Sequence, residues 1–219
     1  MINKKELDII LNNLPSETKL VAVSKFKPNE FILDAYNYGL RDFGESRPQE
    51  LAKKMVEIPN EGINWHFIGH LQTNKIKMII DKVHLIHSID SPKLLAAVNK
   101  EAANHDIIVN CLLQIYIAKE ESKQGFSNEE LEQVVLNIGE YANVRICGLM
   151  GMASFTSNKS IVASEFSTLK EIFDTLKNGS FANNSHFKEL SMGMSGDYLT
   201  AIEHGSTIVR IGSLIFGDR

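Results

Sequence analysis

The sequence predicts an α/β fold, a (β/α)8 TIM barrel in a single domain. Short apolar runs alternate with longer amphipathic ones along the whole chain, eight of the first separated by seven of the second. Parallel strands need a crossover, usually a helix, so this order implies a parallel sheet. The 219 residues divide into eight units of about 27, small for a barrel of this kind. A doubly wound open sheet is the competing architecture, and it commonly carries a glycine-rich turn after its first strand. Here that turn reads Ser24-Lys25-Phe26-Lys27-Pro28, without glycine.

The elements follow in order. A short helix over 3–14 precedes a buried strand over 18–25. Pro28 and Pro48 open helices over 28–38 and 48–56, because proline suits a first helical turn. A strand over 41–44 lies between them. Strands over 63–69 and 84–90 are each followed by a helix, over 73–81 and 92–104. The fifth strand, over 109–117, leads to a helix over 128–138 that Ser127 caps. Strands over 144–152, 187–192 and 207–213 alternate with helices over 159–176 and 198–204. No Pro-, Gly- or Ser-rich linker divides the chain.

The chain is 43% hydrophobic, enough for one sizeable core and too little for two full domains. Lys and Arg number 23 against 27 Asp and Glu, a net charge of -4 that argues against a general nucleic-acid binder. A local basic pocket for one small anion is compatible with it. Cys111 and Cys147 lie in apolar runs and read as buried free thiols. The charged N-terminus lacks the apolar region of a signal peptide, and no run of about 18 apolar residues occurs. The expected location is the cytoplasm.

In a barrel of this class the site forms at the C-terminal ends of the strands. Those ends carry Lys25, Gly44 to Arg47, His66 to His70, Ser88, Asp90, Met150 to Met152, Ser191 to Gly196, Arg210, Gly212 and Ser213. Lys25 ends an apolar strand, where partial desolvation favours a neutral amine able to form a Schiff base. The alternative is a lysine reaching out to solvent. Small and hydroxylated residues over 191–197, before a short helix, suit a phosphate; a capped turn without ligand explains them equally. Arg210 lies in an apolar strand, as a donor aimed at a ligand or as half of a buried ion pair. His66 and His70 read as hydrogen-bonding or core residues, since no carboxylate adjoins them in sequence to make a metal site. Met150, Met152, Met192 and Met194 read as packing, and Lys123 as added positive potential near the mouth.

Together these segments resemble the pyridoxal phosphate homeostasis protein family. The resemblance rests on Val21-Ala22-Val23-Ser24-Lys25, Phe43-Gly44-Glu45-Ser46, the run from His66 to Lys75, Glu121 to Phe126, Gly148-Leu149-Met150, Leu190 to Asp197 and Val209 to Gly217, in order over nearly the whole chain. It implies a barrel like the alanine racemase N-terminal domain, with pyridoxal 5′-phosphate (PLP) held covalently on Lys25. It implies phosphate contacts from Ser195, Gly212 and Ser213, and Arg210 facing the pyridine nitrogen. Many relatives carry Asn where this chain has Ser46, so any contact there passes to a shorter hydroxyl.

The implied role is vitamin B6 homeostasis: holding PLP reversibly and passing it to apo-enzymes. An arginine facing the ring nitrogen disfavours its protonation and weakens the electron sink. The chain ends just after the eighth strand, so the second domain that gives racemases a tyrosine base is expected to be missing. Robust catalysis is therefore not expected, and a monomer is. A weak racemase-like enzyme with Lys25 as sole base is the alternative, and a catalytically silent partner-binding protein a third reading.

Overall fold

A computed structural model describes residues 1–59, 62–118 and 124–217. Among them β1 (Lys19–Val23), β2 (Asp42–Glu45), β3 (Asn64–Phe67), β4 (Leu85–Ile89), β5 (Val109–Gln114), β6 (Val144–Met150), β7 (Glu189–Ser191) and β8 (Ile208–Ile211) close into a barrel in sequence order. Every neighbouring pair is parallel. The predicted barrel is therefore the observed one. The α-helices are α1 (Lys4–Asn13), α2 (Asn29–Asn37), α3 (Pro48–Glu57), α4 (Pro92–Asn104), α5 (Asn128–Leu136), α6 (Lys159–Asn178), α7 (Tyr198–Glu203) and α8 (Ser213–Phe216).

Local chemistry explains where the helices start. Pro48 and Pro92 occupy first-turn positions of α3 and α4. The Ser91 hydroxyl accepts from the Leu94 N–H. Ser127 and Glu130 form a reciprocal capping box on α5. The predicted helix over 73–81 is instead a 3₁₀ helix, Thr73–Met78, without a side-chain cap at Gln72. Its buried residue Ile76, with Ile79 and Ile80 just past its end, is β-branched, and such residues lose rotamer freedom in an α-helix. Strands β1 and β3 stop at Val23 and Phe67, short of their predicted ends, which leaves Lys25, Gly69 and His70 on the loops at the mouth. The last predicted strand gives way to α8 from Ser213 onward.

Strand alternation sorts the core into two layers. Outward residues such as Ala22, Phe43, Phe67, Ile86, Leu113 and Val209 pack against the helices. Inward Val21, Leu85, Leu112, Cys147, Met150 and Ile208 form a separate cluster inside the barrel. Both thiols are free and buried, as expected, and burial pushes both pKa values up. No described helix is long and apolar enough to cross a membrane.

One bulge aims β6 inward. Cys111 pairs with Ile146 and Leu112 with Gly148, so Cys147 is an extra residue on β6. Gly148 has φ +149°, and a Cβ there would overlap the Glu189 carbonyl. Gly148→Ala is expected to lower the unfolding free energy by at least about 2 kcal/mol in urea denaturation. A loss under about 0.5 kcal/mol would show that the bulge tolerates a side chain.

Candidate functional site at the barrel mouth

Closure between β1 and β8 sets Val21 beside Arg210 and Ala22 beside Ile211. Beyond β1 the chain turns at once. The Ser24 N–H donates to the Gly44 carbonyl and the Lys27 N–H to the Ser24 carbonyl, both at 3.0 Å. Half-buried Lys25 lies within this turn, before Phe26 in the left-handed region at φ +64°. Such a backbone is costly for a bulky residue and persists only where its surroundings hold it.

Helix α3 holds it. Lys54 Nζ donates to the Ser24 carbonyl at 2.9 Å, to Glu45 Oε1 at 2.8 Å and to Glu50 Oε1 at 2.7 Å. Glu45 Oε1 also accepts from the Ser24 hydroxyl at 2.6 Å, and Glu50 Oε1 from the Phe26 N–H at 2.7 Å. The Arg47 guanidinium stacks over the Phe26 ring, 4.5 Å from its centroid. Sequence reasoning missed this clamp. Glu50 and Lys54 are visible as an (i, i+4) pair, but only the fold brings Ser24 and Glu45 to them. Burial pushes the Glu45 carboxyl up to about 7, against the pull of Lys54 and Ser24.

Arg210 is buried inside the barrel. Its NH1 donates to Ser191 O at 2.8 Å and Ser191 Oγ at 2.6 Å, and its NH2 to Gly151 O at 3.1 Å. Two carbonyls and a hydroxyl hold it, not the carboxylate of a buried ion pair. Burial pushes its pKa down to about 10, opposed by Asp197, so it stays cationic at neutral pH.

The loops after β7 and β8 meet above Arg210's strand. The Gly212 N–H lies 3.4 Å from Ser195 Oγ. A Cβ on Gly212 would stand 2.9 Å from the Val23 carbonyl, so only glycine lets β8 turn this close to β1. Gly193, at φ +93°, accepts from the Arg210 N–H at 2.9 Å. The Met194 N–H donates to the Asp197 carboxylate at 2.6 Å, so the segment is a capped turn as well as a gathering of hydroxyls. Ser195 and Gly212 are half-buried and Ser213 is exposed. Ser46 stands on the other flank of β1, its backbone packed closely against Gly69.

The remaining predicted residues separate. His66 lies inside the barrel, bonded to Asp42 and His87, whereas exposed His70 bonds Asp90 at 3.0 Å. Each histidine thus meets a carboxylate distant in sequence. Met150 and Met192 are buried packing residues, while Met152 and Met194 are partly exposed. Lys123 lies outside the described residues.

The family model for the alanine racemase N-terminal domain matches residues 4–219. A pyridoxal phosphate homeostasis protein from Aquifex aeolicus is 41% identical over 201 residues, covering 92% of this chain and 87% of that one. The chain belongs to the pyridoxal phosphate homeostasis protein family. PipY of Synechococcus elongatus, 30% identical, superposes on this family member with a TM-score of 0.91 without PLP and 0.88 with PLP bound. Each comparison spans 97% of this chain and 99% of PipY. An alanine racemase from Clostridium difficile is 14% identical with a TM-score of 0.83; it shares the fold over 99% of this chain and 59% of its own.

The Glu45 carboxyl makes the clamp sensitive to pH. Its folded pKa of about 7 exceeds its ordinary 4.5, so its contribution to stability is complete below pH 4.5 and is lost as pH rises through 7. Glu45→Gln removes that titration. Urea denaturation across pH 4–8 should show wild type losing stability relative to the variant, by up to about 3 kcal/mol. A constant difference would place the Glu45 pKa near its ordinary value.

Proposed function

We propose that this protein binds PLP at the mouth of its barrel, attached reversibly through Lys25, and serves vitamin B6 homeostasis by holding the cofactor and passing it to apo-enzymes. The observation that carries the reading is the β1–β8 pairing, which sets the Lys25 turn beside Arg210's strand and the Gly212 just past its end. The names of its relatives, and PLP in the PipY structure, support it.

The residues fit the group. PLP supplies an aldehyde that an amine captures reversibly and a ring that withdraws electrons. Lys25 Nζ would provide the amine that holds that aldehyde. The Gly212 N–H, the Ser213 N–H and hydroxyl, and Ser195 Oγ would provide donors for the phosphate. Ser46 offers one further hydroxyl on the opposite flank. Arg210 would donate to the pyridine nitrogen and, as a cation, would keep that nitrogen unprotonated.

That last feature supports a carrier over an enzyme. An unprotonated ring stabilises a carbanion poorly, so racemisation is expected to be weak at most. In this reading the protein works in the cytoplasm.

Three measurements test the reading. Purified protein loaded with PLP should show a visible absorption band that Lys25→Ala abolishes, and borohydride reduction followed by peptide mapping should label Lys25. Failure to load would overturn the function. Ser195→Ala and Ser213→Ala should each weaken PLP binding about tenfold, as expected for a lost charge-assisted hydrogen bond. Arg210→Glu should accelerate exchange of amino-acid α-protons in deuterated water, and an unchanged rate would refute the electronic argument.

A further inference from the structure

An unbroken line of side chains crosses the barrel interior behind Arg210. Asp42 Oδ1 lies 3.0 Å from His66 Nε2, and His66 Nδ1 lies 2.8 Å from His87 Nε2. His87 Nδ1 lies 2.9 Å from Ser191 Oγ, which accepts from Arg210 NH1 at 2.6 Å. The line passes from β2 through β3 and β4, then across the barrel to β7 and β8. His66, His87, Ser191 and Arg210 are all buried.

The chemistry of the two ends decides the direction of every bond between them. Arginine only donates, and an ionised carboxylate only accepts. Burial pushes the Asp42 carboxyl up, but hydrogen bonds from His66 and Asn64 and the nearby imidazoles outweigh it, so its pKa lies below the usual range. His66 must therefore donate from Nε2. Burial, with His66 and Arg210 nearby, pushes the His87 pKa well down, so His87 is a neutral imidazole with one N–H. If His66 is also neutral, its Nδ1 accepts and His87 donates from Nε2. His87 Nδ1 then accepts the Ser191 proton, while Ser191 Oγ accepts from Arg210. Along the line every donor then meets an acceptor.

The opposite sense leaves a group stranded. A doubly protonated His66 would force His87 to donate from Nδ1 to Ser191. Ser191 Oγ would then receive two donors, and its own proton would need an acceptor in a fully buried place. The groups facing His66 are Asp42, His84 at 5.3 Å between ring centroids, and His87. A cavity of about 160 Å³ below it is lined also by Lys19, Arg145, Lys188 and Glu189, whose charges are mostly positive.

We propose that Asp42, His66, His87 and Ser191 are positioning residues of the cofactor site, a one-way hydrogen-bonded relay that orients Arg210 toward its ligand. Both Ser191 acceptors engage NH1 and the Gly151 carbonyl accepts from NH2, which fixes the rotation of the guanidinium and leaves Nε and the second N–H of NH2 to point elsewhere. The charge that completes the relay is Asp42, on the far side of the barrel. The inference rests on Arg210 contacting PLP, and the test separates the two.

Side-chain ¹⁵N spectra of the cofactor-free protein should show His66 and His87 both neutral and protonated at Nε2. An Nδ1–H form, or a charged ring, at either residue at pH 7 would overturn the relay. Asp42→Asn and Ser191→Ala should each shift the pH titration of the bound-PLP absorption band and weaken PLP at least threefold, with Ser191→Thr restoring both. If Arg210→Gln moves the band and the relay variants do not, the relay is overturned while the site stands. If Arg210→Gln also leaves it unmoved, the placement of Arg210 at the cofactor fails instead. Circular dichroism identifies any variant that does not fold, and for it the tautomer measurement on wild type decides.

Discussion

The pairing of β8 with β1 is the constraint on which everything else depends. Four residues of each strand run in register, Lys19 with Ile208 through Ala22 with Ile211. That register places a lysine-bearing turn next to a strand that carries arginine and is followed at once by glycine. A slip of one residue would turn Arg210 out of the barrel and into the apolar layer beneath the helices, because side chains alternate between the two faces. Closure also removes the exposed edges that an open sheet would leave.

Closure confines a set of polar groups in a small interior, where each must find a partner. The apolar cluster of Val21, Leu85, Leu112, Cys147, Met150 and Ile208 fills only part of that space. The rest goes to His66, His87, Ser191 and Arg210, which satisfy one another in a line. A second buried group, Glu45 with Lys54 and Ser24, lies outside the barrel wall and pins the Lys25 turn from α3, with Glu45 Oε2 left unpartnered. The mouth is thus braced from two sides, from within the barrel and from the helix layer. Such support is what holds a binding site in its productive geometry.

Much of this was legible beforehand. The alternation of apolar runs and amphipathic stretches identified the barrel, and the rule about strand ends gathered a broad set of polar residues at the mouth, which the family resemblance narrowed to Lys25, Ser46, Ser195, Arg210, Gly212 and Ser213. The 3₁₀ helix Thr73–Met78 was not legible, since its isoleucines repeat at a spacing that an α-helix shares. The carboxylate partners of His66 and His70 were invisible for another reason. Asp42 lies on the neighbouring strand and Asp90 just past the end of one, and local sequence carries no record of a neighbour across a sheet.

By itself, the sequence determined the fold class, the order of the elements and the types of residue at each strand end. Periodicity and punctuation are local properties, and local properties survive in a linear reading. Tertiary structure alone decided that Arg210 rests on Ser191 and Gly151 instead of a carboxylate, that α3 clamps Lys25's turn, and that Asp42 lies at the head of a relay ending at Arg210. Those outcomes depend on which strands face one another across a closed barrel, and closure brings together residues that no sequence window contains.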